Sequence, residues 1–282
     1  MKVLPFQIPK PEHDALIYQI DKEIIFYDKF HQHEEIQLSY IVEGAGTLIV
    51  GDTINYYKKG DVLALGSNLP HVFKSDITLK TTSKMVSLFF TKTAFGESFF
   101  KLEELGDLRP FFIKVVHGFK VKSPTNTLEK LFLQLELNNK LQRFITCLDI
   151  LKILSKSNHQ ALSSFIYDKK YSDSEGNRMR DVMDYTMRNY QNQISLDDVA
   201  KVSAMTKNAF CKYFKKRTNK SYFRFLNELR IENACKLLMT EKELSIAEIA
   251  DQSGFNNISN FNRQFKTVKQ MSPSAYKQRK LI

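Results

Sequence analysis

Cysteine is scarce and widely scattered: Cys147, Cys211 and Cys235 are the only three in 282 residues, and no C-x-x-C pair occurs. That spacing excludes a disulfide framework and a thiolate zinc site, and it suits reduced, buried thiols. Long apolar runs are missing too, and the N-terminal stretch MKVLPFQIPK holds no sustained hydrophobic segment. The sequence therefore predicts neither export nor a membrane span, and a cytoplasmic location. Nothing in the composition is fibrous or disordered; with 43% hydrophobic residues, a chain of this length can build two cores. Acidic residues are few in the last third. Residues 178–282 carry 20 Lys and Arg against 10 Asp and Glu, whereas residues 1–177 carry 22 against 21. A basic balance alone can be a solubility device; this one coincides with a repeat, which turns the reading towards phosphate.

The repeat has a fifty-residue period. Ser195, Leu196, Val199, Ala200, Ser203 and Met205 align with Ser245, Ile246, Ile249, Ala250, Ser253 and Phe255. One inserted residue later, Phe210, Lys212, Phe214 and Lys215 align with Phe261, Arg263, Phe265 and Lys266. Each copy reads as a helix-turn-helix. In the first, Ser195 and Thr206 are helix caps, and Phe210 and Phe214 point inward at i,i+4 spacing. Asn208, Cys211, Lys212 and Lys215 then form an outward stripe, with Lys207 at its start, suited to a major groove. In the second, Ser245 caps, Gly254 permits the tight turn, and Asn256 or Asn257 caps the reading helix. Phe261 and Phe265 turn inward, leaving Asn257, Ser259, Asn262, Arg263 and Lys266 for DNA. Arg263 can pair bidentately with guanine, and Asn262 or Asn208 with adenine. Residues 178–191 predict a covering helix with Met179, Val182, Met183 and Tyr190 on one face. Residues 221–239 predict a connector that packs through Leu226, Leu229, Ala234 and Leu237. Two reading helices on one face of a duplex must sit ~34 Å apart, one helical turn.

The segment SIAEIADQSGFNNISNFNRQFKTVKQMSPSAYKQRK, with LRIENACKLL before it, resembles the signature of AraC/XylS-type transcriptional regulators. Ala250, Gly254, Phe255, Phe261, Arg263, Phe265, Pro273 and Tyr276 fall at family positions, and the resemblance covers about residues 178–280. Ala204 and Tyr222 depart from it, standing where a glycine and a proline are common. The resemblance implies a sequence-specific regulator of double-stranded DNA, more often an activator, with RNA polymerase as a further partner.

The N-terminal half reads as β structure. Residues 36–50 give two apolar runs around Glu43-Gly44-Ala45-Gly46, a hairpin signal, and Gly51-Asp52 and Lys59-Gly60-Asp61 punctuate further strands, including Val62–Leu65. Short strands at close spacing predict a small barrel or sandwich. The segment FHQHEEIQLSYIVEGAGTLIVGDTINYYKKGDVLALGSNLPHVF resembles the cupin sensor domain carried by many AraC-type regulators. The expected class is thus α+β in two domains: a cupin-like β-barrel over residues 1–97, a helical region over 98–166, a linker over 167–177, and an all-α double helix-turn-helix over 178–282. In the helical region, Leu128, Leu131, Phe132 and Leu135 form one stripe, and Leu141, Phe144, Ile145, Leu148, Leu151 and Leu154 a second. The family resemblance implies a homodimer through such helices; packing on the chain's own barrel fits the periodicity equally.

Catalytic cupins carry H-x-H, an acid a few residues on, and a third histidine. Here His31, His33 and His71 take the histidine positions, and Gln37 or Leu38 stands in place of the acid. Three histidines can hold a metal, but without the carboxylate no cofactor, resident metal or enzymatic step is expected. The same groups suit recognition of a small molecule at a barrel mouth. The candidates are His31, His33, Gln37, Ser39 and His71, with Glu35 beside them, and the resemblance implies a carbohydrate effector. Alternation puts Gln37 and Ser39 on one strand face and Leu38 and Tyr40 on the other. The rival readings are a metal-dependent cupin enzyme fused to a DNA module, a barrel that only dimerises, and plain loop and turn histidines.

Overall fold

The computed structural model describes residues 5–6, 14–79, 81–167, 171–241 and 243–278. Its contacts divide the chain into two compact units, residues 1–176 and 177–282. No helix among the described residues is long and apolar enough to cross a membrane.

The first unit contains β1 (Ile17–Glu23), β2 (Ile36–Glu43), β3 (Ala45–Val50), β4 (Thr53–Lys58), β5 (Val62–Leu65), β6 (His71–Ser75), β7 (Ser83–Phe90), β8 (Phe119–Val121) and β9 (His159–Ala161). They make two antiparallel sheets, ordered β1-β7-β2-β5-β8-β9 and β4-β3-β6. Among the described residues the ladders do not close into one continuous ring, although an isolated bridge joins His31 to His71. Leu48, Val50, Ile41, Leu63 and Leu65 meet in the core that the two sheets share.

The expected hairpin over residues 36–50 does not form: β2 pairs with β5 and β7, whereas β3 pairs with β4 and β6. The chain changes sheet at Gly44, where φ is +92° and a Cβ would stand 2.8 Å from the Ser83 hydroxyl. Only glycine fits such a corner without strain. The hairpin lies one strand later, where Val50 pairs with Thr53 across Gly51-Asp52.

Helices α1 (Arg109–Lys114), α2 (Asn126–Gln134) and α3 (Lys140–Lys156) pack on the chain's own larger sheet. Ile36, Leu38, Tyr40, Val62, Val86 and Leu88 meet Phe111, Leu128, Phe132, Ile150, Leu151 and Leu154 there. Both faces of β2 are therefore covered, which explains its continuous rather than alternating burial. The stripe of α3 is rotated from the expected one. Thr146, Cys147, Ile150, Leu151 and Leu154 are buried, whereas Leu141 and Ile145 are exposed. The expected linker is shorter than residues 167–177 in the structure. Tyr167 is buried in the inter-sheet core, residues 168–170 lie outside the described residues, and α4 (Asp173–Asn189) begins five residues earlier than its apolar face predicts.

The second unit is helical: the rest of α4, then α5 (Leu196–Val202), α6 (Lys207–Thr218), α7 (Tyr222–Thr240), α8 (Ile246–Gln252), α9 (Ile258–Lys269) and α10 (Pro273–Gln278). Ser195 and Ser245 each close a capping box, with Asp198 and Glu248 three residues on. Those hydrogen bonds to the serines hold both carboxyls below their ordinary range. Tyr222 replaces the proline often found at a first helical position without loss of order. Its ring meets Phe210 and Phe214 at 5.5 and 5.3 Å, and its hydroxyl lies 2.9 Å from that of Thr186.

Candidate nucleic-acid interface and histidine cavity

Two helix-turn-helix units are built in the same way. In the first, α5 turns at Ala204 into α6; in the second, α8 turns at Gly254 into α9. Both turn residues are left-handed, Ala204 at φ +52° and Gly254 at +89°. Thr206 caps α6 through Ala209 N–H, and Asn257 caps α9 through Ser259 and Asn260 N–H. Phe210 and Phe214 are buried beneath α6, and Phe261 and Phe265 beneath α9, fixing which face looks outward.

That outward face carries every polar residue expected of it. Lys207, Asn208, Cys211, Lys212 and Lys215 are exposed on α6, and Ser259, Asn262, Arg263 and Lys266 on α9. Some are already engaged within the protein. Lys207 is 3.1 Å from Asp197 in an exposed pair, which water screens to a weak attraction. The Asn257 side-chain oxygen is engaged as the cap of α9, accepting from the Ser259 and Asn260 N–H groups. Arg263 donates to the Asn260 side-chain oxygen at 2.9 Å. Asn260 was not among the expected residues, although its i,i+3 spacing to Arg263 was the available signal.

The two units are tied together through α7. Arg230 donates from Nε to the Tyr190 carbonyl and from Nη2 to that of Asn192, both at 2.7 Å. Gln191 donates to the Gln252 carbonyl at 2.9 Å. A Cβ at position 254 would stand 2.5 Å from the Tyr190 oxygen and 2.9 Å from Arg230 Nε. Gly254 therefore serves both the turn and this close approach. Ala204, by contrast, is exposed.

In the first unit, the β2 alternation resolves with Gln37 and Ser39 facing the space between the sheets. His31 and His33 precede β2, and His71 opens β6. All three are buried and converge, with ring centroids 4.4 Å apart for His31–His71 and 5.0 Å for His33–His71. Backbone bonds in both directions between His31 and His71 fix that convergence. Each Nδ1 lies against a backbone carbonyl, of Lys29, Glu35 and Leu69 respectively, at 2.7 to 2.8 Å. A carbonyl only accepts, so each Nδ1 carries a proton, and in the neutral ring the lone pair lies on Nε2.

Gln37 approaches His33 Nε2 through Oε1 at 3.1 Å and donates from its amide nitrogen to Ser39 Oγ at 2.8 Å, which in turn meets Ser87 Oγ. These groups line a cavity of about 70 Å³ together with Asp21, Phe26, Tyr27, Phe73, Met85 and Phe89. Ser39 orients Gln37 and does not itself line the space. Glu35 sits beside His33, its carboxylate 3.8 Å from Nδ1. Asp21 and Met85 were missed by sequence reading, because only the pairing of β1 with β7 shows that they share a face.

Residues 199–279 match the model of a helix-turn-helix domain. An uncharacterised HTH-type transcriptional regulator of Bacillus subtilis (strain 168), YdeC, is 23% identical over 268 residues, spanning 92% of this chain and 89% of that protein. A second such regulator, from Pseudoalteromonas carrageenovora, is 34% identical over 99 residues, 35% of this chain and 58% of that protein. Among solved structures, ToxT from Vibrio cholerae aligns over 93% of this chain and 97% of its own at 17% identity and a TM-score of 0.36. The DNA-binding domain of AdpA, solved with a target DNA, aligns over 34% of this chain and 86% of its own at 24% identity and a TM-score of 0.33.

Proposed function

We propose, from the premise that this chain is an AraC-type helix-turn-helix transcriptional regulator, that it reads two adjacent major-groove segments with α6 and α9 and that a small effector in the histidine cavity sets its DNA-binding state. The observation that carries the DNA half is the duplicated outward stripe, held on two capped helices of one unit by the Arg230 junction. Arg263 is the residue best suited to base reading, since its fork matches a guanine edge. Lys212, Lys215 and Lys266 suit phosphate, and Asn208 and Asn262 adenine. Contact with RNA polymerase and a homodimer belong to the same reading, as does a cytoplasmic location beside its DNA. Leu141 and Ile145, exposed on α3, supply a face for the dimer.

The effector half rests on His31, His33, Gln37 and His71, which converge with Asp21 in a cavity otherwise walled by aromatic rings and Met85. Binding there shifts the population of chains able to engage both groove segments, with no chemical step. The test is a hydroxyl-radical footprint of the full chain on its own upstream region. Two protected patches one helical turn apart on one face of the duplex are expected; a single patch overturns the two-helix reading.

A further inference from the structure

We infer that the effector is a divalent transition-metal ion, bound by His31, His33 and His71 with the Gln37 side-chain oxygen, and that its binding regulates DNA occupancy. This rests on the effector-gated reading above and names its ligand.

The donor set is already assembled. The three buried histidines offer ligand atoms that all lie within 4.8 Å of one another. Their Nδ1 protons are directed at backbone carbonyls, the arrangement that fixes the tautomer and turns Nε2 towards a metal. Gln37 extends the set: its side-chain oxygen lies 3.1 Å from His33 Nε2 and its amide nitrogen donates to Ser39 Oγ, so a neutral oxygen donor stands beside the three imidazoles.

Size points the same way. A cavity of about 70 Å³ falls well below the ~300 Å³ at which organic-ligand pockets begin, and it accommodates an ion with a water. Imidazole donors select zinc, copper, nickel or cobalt over magnesium and calcium. Gln37 takes the acid's place as a neutral oxygen donor, while Asp21 brings a carboxylate to the same cavity from β1.

Binding also has a mechanical route to the linker. Ligands about 2.0–2.1 Å from a tetrahedral ion stand about 3.4 Å from each other, so any spacing wider than that within the 4.8 Å the set spans closes when an ion binds. His71 pairs with Val50 on β3, and Gly51 N–H donates to the Pro70 carbonyl at 2.7 Å. The next residue, Asp52, accepts from Ser163 Oγ at 2.8 Å, from Ser164 N–H at 3.0 Å and from the Ser164 hydroxyl. The strand end that a metal draws in thus continues into the clamp on the segment that leaves the first unit.

The experiment uses the full chain, stripped with a chelator and titrated with Co²⁺ by visible absorption, with DNA affinity measured by anisotropy on its upstream region with and without Zn²⁺. One ion per chain is expected. His71→Ala and His33→Ala should each weaken Co²⁺ binding by more than about tenfold, and Gln37→Glu should tighten it, a readout that survives if an alanine variant fails to fold. Zn²⁺ should change DNA affinity in the wild type and not in His71→Ala. No binding by the folded chain, or equal binding by wild type and folded His71→Ala, overturns the site. Binding without any change in DNA affinity overturns the regulatory role. If a neutral monosaccharide alters DNA affinity and Zn²⁺ does not, the metal assignment falls and the effector-gated reading stands; if neither does, both fall.

Discussion

The two turns invite opposite substitutions, Ala204→Gly and Gly254→Ala. Ala204 sits at φ +52°, a left-handed conformation costing an L-residue roughly 1–2 kcal/mol. Glycine relieves that strain but loses about 0.4–1 kcal/mol by loosening the unfolded chain, so Ala204→Gly should stabilise the second unit by about 0.5–1 kcal/mol. Gly254→Ala meets the same backbone strain at φ +89°, and its Cβ would lie 2.5 Å from the Tyr190 carbonyl oxygen. That atom is backbone and already accepts from Arg230, so it cannot retreat without loosening a charged hydrogen bond. Overpacking of this kind adds about 1–3 kcal/mol, and stiffening the unfolded chain returns about 0.4–1 kcal/mol, giving a net loss of roughly 1–4.5 kcal/mol, at its upper end a large share of an ordinary domain's stability. Calorimetry of the full chain, following the transition of the helical unit, reads both. At about 4 °C per kcal/mol for a unit of this size, the variants should move in opposite directions, the second downward by roughly 4–18 degrees. A lower midpoint for Ala204→Gly, or an unchanged one for Gly254→Ala, would refute the strain argument.

Arg263→Ala should cost about 1–3 kcal/mol at the cognate site and relax preference at one base pair; in a panel of single-base variants, uniform weakening would show that Arg263 holds phosphate instead. Lys215→Ala should reduce the slope of log affinity against log salt by about 0.9 with sequence preference unchanged. Asp198 and Glu248 have folded pKa values below their ordinary ones, so their contribution is present at neutral pH and is lost as pH falls from the ordinary carboxyl range through the lowered values. The double variant Asp198→Asn, Glu248→Gln should therefore show a shallower loss of helical-unit stability on acidification, read by circular dichroism; an unchanged acid profile would remove the caps as its source.

The helical unit was legible in the sequence because its signals are local. Ser195, Thr206 and Ser245 cap where their spacing predicts, and the phenylalanine pairs fix the outward stripes. Tyr222 was harder, because only the tertiary contact with Thr186 and two phenylalanines shows how it replaces a proline. The first unit was less legible for a physical reason. Period-two alternation says that Gln37 and Ser39 share a face, but β2 is covered on both sides, so burial alone does not say which sheet each run joins. The corner at Gly44 and a hairpin turn have the same letters. Asp21 and Met85 reach the cavity through a pairing between strands about sixty residues apart, which no local pattern encodes.

Arg230 and Gly254 make the joint between the two reading units short and closely packed, and this shifts a mechanical demand onto the nucleic acid. Inserting one base pair between the two contacted segments moves them about 3.4 Å apart and turns one against the other by about 34°. A stiff protein joint cannot follow, so the duplex must twist or bend to restore register. On the proposed two-helix reading, flexible pyrimidine–purine steps between the two contacted segments then count towards affinity even where no side chain reads them.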